Sequence, residues 1–138
     1  MLTDVSKSMG RGNDRRLDRM AATMLMLMEA LQSFAPHKFD YAVRGHDGDS
    51  PIIPFVEFGH PPRTDADRLA VLEMLYYNVG SCGTGDHTEA AAQHAIREVL
   101  LQPADDYFVF LLSDANLADY GVSSRSLANI LLAEKKSP

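Results

Sequence analysis

Apolar side chains recur along the chain with two periods, and the alternation between them sketches a fold before any chemistry is considered. Leu17, Met20, Met24, Leu27, Met28, Leu31 and Phe34 fall at helical spacing, which predicts an amphipathic helix over 14–34. Asn13 is placed to cap its start, and Pro36 bars its continuation. Four of the seven methionines lie in this stretch, read as a core-facing stripe rather than a Met-rich docking surface. Residues 38–44 then alternate around Phe39, Tyr41 and Val43, the period of a strand. Gly45-His46-Asp47-Gly48-Asp49-Ser50 reads as a turn, and Ile52, Ile53, Phe55 and Val56 as a second short strand. Pro51 and Pro54 put that second strand at a sheet edge, and the two strands together suggest a hairpin.

Downstream the helical period returns. Thr64-Asp65-Ala66-Asp67 resembles a capping box with Asp in place of Glu. The helix it opens is expected to turn Leu69, Leu72, Leu75, Tyr76 and Val79 inward and to end near Gly80. A polar loop over 80–87 leads to a helix from Thr88 to Leu101, closed by Pro103. The unbroken apolar run Tyr107-Phe108-Val109-Phe110-Leu111-Leu112 predicts a strand buried on both faces, as in the middle of a parallel sheet. A last helix is expected over 124–135, with Leu127, Ile130 and Leu131 inward. Strands alternating with helices define the class as α/β, an open, mostly parallel Rossmann-like sheet flanked by helices, in one domain over 1–138.

Composition narrows the function. With 138 residues, 46% of them hydrophobic and 23% charged, the chain is that of an ordinary folded domain. No apolar run reaches the roughly 20 residues that span a bilayer, so no membrane partner is expected. A formal net charge of −6 argues against nucleic acid, whose binding needs a basic surface. The single cysteine, Cys82, excludes an internal disulfide. The start of the chain carries no targeting signal.

The candidate chemistry gathers at predicted strand ends and helix starts. Asp4-Val5-Ser6-Lys7-Ser8 sets three oxygen donors at alternate positions just after Leu2-Thr3. Asp114 follows the 107–112 run, and Thr88 opens a helix. In an open α/β sheet these positions share the rim beyond the carboxyl ends of the strands. Two carboxylates and three hydroxyls without sulfur or imidazole favour Mg²⁺, with Mn²⁺ or Ca²⁺ as alternatives, over zinc or copper. Each residue alone has a plainer reading as a cap or loop residue; the shared rim is what joins them. His46, Asp47 and Asp49 offer a second metal site, against which the plain reading is a polar turn. Cys82 and His87 offer a dyad, but they share one loop without an orienting partner. No G-x-x-x-x-G-K-[ST] phosphate loop is present.

Asp4-x-Ser6-x-Ser8, a helix-opening Thr88 and Asp114 after a hydrophobic strand resemble the metal-ion-dependent adhesion site of von Willebrand factor A (VWA) domains. Val43-Arg44-Gly45-His46, Gly85-Asp86-His87-Thr88 and the stretch from Leu112 to Leu117 resemble the VWA domains borne by large AAA+ ATPases, a mitochondrial one among them. The resemblance implies Ser6, Ser8 and Thr88 as close ligands, with Asp4 and Asp114 as charged anchors acting directly or through water. It also implies an acidic side chain of a protein partner, in another molecule or the same parent chain, at the vacant position. That is binding without turnover, in a mitochondrial setting, with any ATP hydrolysis elsewhere in the parent. Relatives usually carry Gly between the two serines; Lys7 stands there, and its charge weakens metal affinity unless its stem reaches solvent. Thr84 competes with Thr88 for the fourth position, but Ala91, Ala92 and Ala95 after Thr88 form a close-packing helix face. The resemblance further implies a partial domain, with the first strand shortened and later strands missing. An aspartyl-nucleophile phosphatase or phosphotransfer domain is the enzyme alternative, though it would want a second Asp at Ser6 and a lysine near the last motif. A metal-free remnant of the domain is the other alternative.

Overall fold

A computed structural model describes residues 1–10, 14–33, 38–81, 87–113 and 123–133. Among them the order is β1 (Leu2–Asp4), α1 (Lys7–Gly10), α2 (Arg16–Ser33), β2 (Val43–His46), β3 (Ile53–Val56), α3 (Asp65–Ser81), α4 (Thr88–Leu100), β4 (Leu111–Leu112) and α5 (Ser124–Ala133). The strands form one sheet in the order β3-β2-β1-β4. β1 runs parallel to both neighbours, and β3 pairs antiparallel with β2 as the edge of the hairpin. The sheet is therefore open and mostly parallel, as the alternation of periods predicts. No described helix is long and apolar enough to cross a membrane.

Side-chain alternation along β1 and β2 divides the core in two. On one face Val5, Val43 and Phe55 pack against Met9 of α1, Met20, Met24 and Met28 of α2, and Val71, Leu75 and Val79 of α3. Thr3 belongs to this face and donates its hydroxyl to the Met20 sulfur at 2.7 Å. The methionines of α2 thus line the core, apart from Met26, which is exposed. Gly45 is also here: a Cβ on it would lie 2.6 Å from the Phe55 ring and 3.3 Å from Val5. On the other face Leu2 packs against Ala91 and Ala92 of α4.

The capping box forms reciprocally. Thr64 Oγ1 accepts from the Asp67 amide at 3.1 Å, and Asp67 Oδ2 accepts from the Thr64 amide at 2.9 Å. The Thr64 backbone bond, then its hydroxyl, hold the Asp67 carboxyl below the usual carboxylate range.

Three expectations are corrected. The strand expected over 38–44 lies at Val43–His46, so Gly45 and His46 are strand residues and the turn begins at Asp47. Register with β1 decides this: Leu2, Thr3 and Asp4 pair with Arg44, Gly45 and His46, and the missing Cβ of Gly45 admits the Phe55 ring. The inward face of α3 is Val71, Leu75 and Val79, four residues apart, while Leu69 and Tyr76 are exposed. Tyr76 keeps its hydroxyl at the surface, donating to Asp18 Oδ1 at 2.9 Å. Finally, the 107–112 run is not buried on both faces: only Leu111–Leu112 pair with β1, and Phe108 and Phe110 are 71% and 58% exposed. An apolar run reads alike whether one or two of its sides are covered. Asn13, Phe34 and Pro36 lie outside the described residues.

Candidate metal centre

β1 is short and held between two parallel neighbours, so its carboxyl end opens on the rim of the sheet. The last bond of the ladder runs from the Val5 amide to the His46 carbonyl at 2.9 Å. The chain then turns over the Asp4 side chain, whose Oδ1 accepts from the Ser6 amide at 2.8 Å. That turn starts α1 and brings the Ser6 and Ser8 hydroxyl oxygens to 2.8 Å from each other. From the far side, Ser113 after β4 donates its hydroxyl to Asp4 Oδ2 at 3.1 Å. The Asp4 carboxylate thus meets the Ser6 backbone, and the Ser6 and Ser8 hydroxyls meet each other.

Asp4 is 6% exposed, and among the described residues no Lys, Arg or His forms an ion pair with it. A buried carboxylate balanced only by neutral donors is expensive, because the desolvation cost is met by no opposite charge. Lys7 does not supply that charge; it is exposed, between half-buried Ser6 and Ser8.

Thr88 reaches the same rim through the direction of α4. Near the end of this helix Glu98 binds Arg44, which is level with Leu2 in the sheet. Ala91 and Ala92 pack on Leu2 itself, with Ala95 partly buried beside them. The helix therefore runs against the direction of β1, and its first residue, Thr88, lies toward the Asp4 end. Its side chain is 1% exposed. The alanine face that favours Thr88 over Thr84 is the face that docks on the sheet. Thr84, Cys82 and Asp114 are outside the described residues, although Ser113, which precedes Asp114, touches Asp4.

The other sequence candidates separate. Asp47 Oδ1 accepts from the Asp49 and Ser50 amides at 2.8 and 2.7 Å, which closes a polar turn. Among the described residues no three His, Cys, Asp or Glu side chains group to hold a metal. The structure also brings forward Arg44, which the sequence reading left at the end of a strand, and His46, which it assigned to a turn. Arg44 and His46 are both buried, on the α4 side of the sheet, Arg44 beside Leu2 and His46 beside Asp4. The available signal was the period-two pattern of Val43-Arg44-Gly45-His46, polar on one face and small or apolar on the other.

An open, mostly parallel sheet flanked by helices, with polar residues converging on its carboxyl rim, is a VWA-like α/β fold. Over 136 residues, 97% of its length, the chain is 39% identical to von Willebrand factor A domain-containing protein 8 of Mus musculus. The chain is a relative of that VWA-domain protein and spans 7% of its length. No family model matches the chain. No solved structure matches it either.

Proposed function

We propose that the chain is a VWA-type interaction module in which a Mg²⁺-class cation bridges to an acidic side chain of a protein partner. Asp4, Ser6, Ser8, Thr88 and Asp114 are the residues that would hold the cation. The observation that carries the reading is the buried Asp4 carboxylate, which meets Ser6 and Ser113 but no basic side chain among the described residues. Hard oxygen donors around an uncompensated carboxylate suit Mg²⁺, with Mn²⁺ or Ca²⁺ as alternatives. A cation there would neutralise the carboxylate and leave a coordination position for the partner's oxygen. This is recognition rather than turnover, so no catalytic residue is assigned.

The setting belongs to the same proposal. The relative is more than ten times longer than this segment, and the resemblance of the motifs points to a parent of the AAA+ ATPase kind in mitochondria. ATP hydrolysis would lie elsewhere in that parent, and the acidic partner residue could come from the same chain.

Titration calorimetry with Mg²⁺ tests the reading. Binding is expected in the unmodified chain, lost in Asp4→Ala, and weakened at least about tenfold in Thr88→Ala, the loss that even outer-shell changes produce. Unchanged affinity in both variants would overturn it.

A further inference from the structure

We infer that His46 adds an imidazole nitrogen to the cation at this rim and so turns the site toward Mn²⁺ over Mg²⁺; the inference rests on the metal reading above. The placement follows from register and alternation. Leu2 faces α4, so Asp4, two residues on, faces the same way. Arg44 pairs with Leu2 and sends its guanidinium to Glu98 of α4. His46 pairs with Asp4 and shares the face of Arg44, while Gly45 between them faces Phe55 and Val5. Thus His46 and Asp4 lie side by side on the face of the sheet that α4, opening at Thr88, covers. His46 is 1% exposed, as is Thr88. The reading of His46 as a partner of Asp47 and Asp49 gives way to this, because Asp47 turns to the amides of Asp49 and Ser50.

The chemistry follows from donor type. An all-oxygen set suits Mg²⁺, which takes carboxylate, hydroxyl and water oxygens in octahedral order. A neutral imidazole changes the set to mixed nitrogen and oxygen, which raises the affinity of first-row transition ions over Mg²⁺. His46 is therefore a residue that sets metal specificity, beyond the five residues the motif assigns.

Electron spin echo envelope modulation of bound Mn²⁺ tests this on the whole chain, prepared with natural and with ¹⁵N-labelled histidine. Nitrogen coupling that changes with the label is expected, retained in His87→Gln and lost in His46→Gln. Competition titration is expected to show the Mn²⁺ preference over Mg²⁺ falling about tenfold in His46→Gln, the scale of one lost supporting group. Should His46→Gln not fold, the unmodified chain and His87→Gln still decide, since coupling in both is required. Mn²⁺ bound without nitrogen coupling overturns the inference and leaves the metal reading standing. Coupling that vanishes only in His87→Gln assigns the nitrogen to His87 and also overturns it. Failure to bind either ion overturns both.

Discussion

The seam between α4 and the sheet has two ends, and they treat buried charge in opposite ways. At the end near Leu2, Arg44 is buried, but every part of its guanidinium is used. Nη1 donates to the Val56 carbonyl at 2.7 Å, Nε to Glu98 Oε2 at 3.0 Å, and Nη2 meets both Glu98 and Glu57. Burial alone would lower the Arg44 pKa; the carboxylates of Glu98 and Glu57 outweigh it and raise the value above that of an ordinary guanidinium. Two residues further along the strands, Asp4 is buried to a similar degree and, among the described residues, receives an amide and a hydroxyl but no basic side chain. The fold can place counter-charge in this seam, and does so at one end. The end where the described residues supply none is the end where strand termini, hydroxyls and a helix start converge. Uncompensated charge on a functional rim is what an external cation would complete.

Substitutions can separate the two ends. The largest effect is expected for Arg44→Met, which leaves the half-buried Glu98 without its cation. Stability should fall by about 2–3 kcal/mol, below the full value for a broken buried pair because Glu57 is largely exposed. Urea denaturation measures this, and Mg²⁺ affinity should stay unchanged; a loss of metal binding would mean that the ends are not independent. Gly45→Ala acts on the opposite face, where the new Cβ meets Phe55 and Val5. It should destabilise by about 1–3 kcal/mol through overpacking, again read from urea midpoints. Thr64→Ala, remote from both ends, removes the hydroxyl that caps α3 and should cost about 1 kcal/mol, which calibrates the other two values. The smallest effect is expected from Lys7→Gln. Removing an exposed, screened positive charge beside the site should raise Mg²⁺ affinity about two- to threefold by calorimetry, more at low salt.

Much of this contrast was legible in the sequence, but unevenly. The helical stripe of α2, the capping box before α3, the alanine face of α4 and the hairpin edge marked by Pro54 all follow from local rules, and each forms. Asp4, Ser6 and Ser8 are close in sequence, so a single turn suffices to join them. Arg44 and His46 were harder to place. Gly45 between them reads as a turn residue, and its need for a bare Cα becomes visible only when the Phe55 ring arrives from β3. The exposure of Phe108 and Phe110 was equally hidden, since the pattern of an apolar run does not record how many neighbours its strand has. Thr88 could be preferred over Thr84 only because packing leaves a mark in small residues. Long-range register, rather than propensity, decided what the sequence left open.

Completion of the Asp4 end by a divalent cation is tested most directly by metal-linked stability. Urea midpoints would be measured with and without Mg²⁺ for the unmodified chain and for Asp4→Asn. At a free Mg²⁺ concentration of about 100 times its dissociation constant, the unmodified chain should gain about 2.7 kcal/mol. Asp4→Asn should gain nothing, and without metal it should be at least as stable as the unmodified chain, because it removes a buried charge that no basic side chain among the described residues offsets. A midpoint of the unmodified chain that does not respond to Mg²⁺, or an equal response in both proteins, would contradict the account.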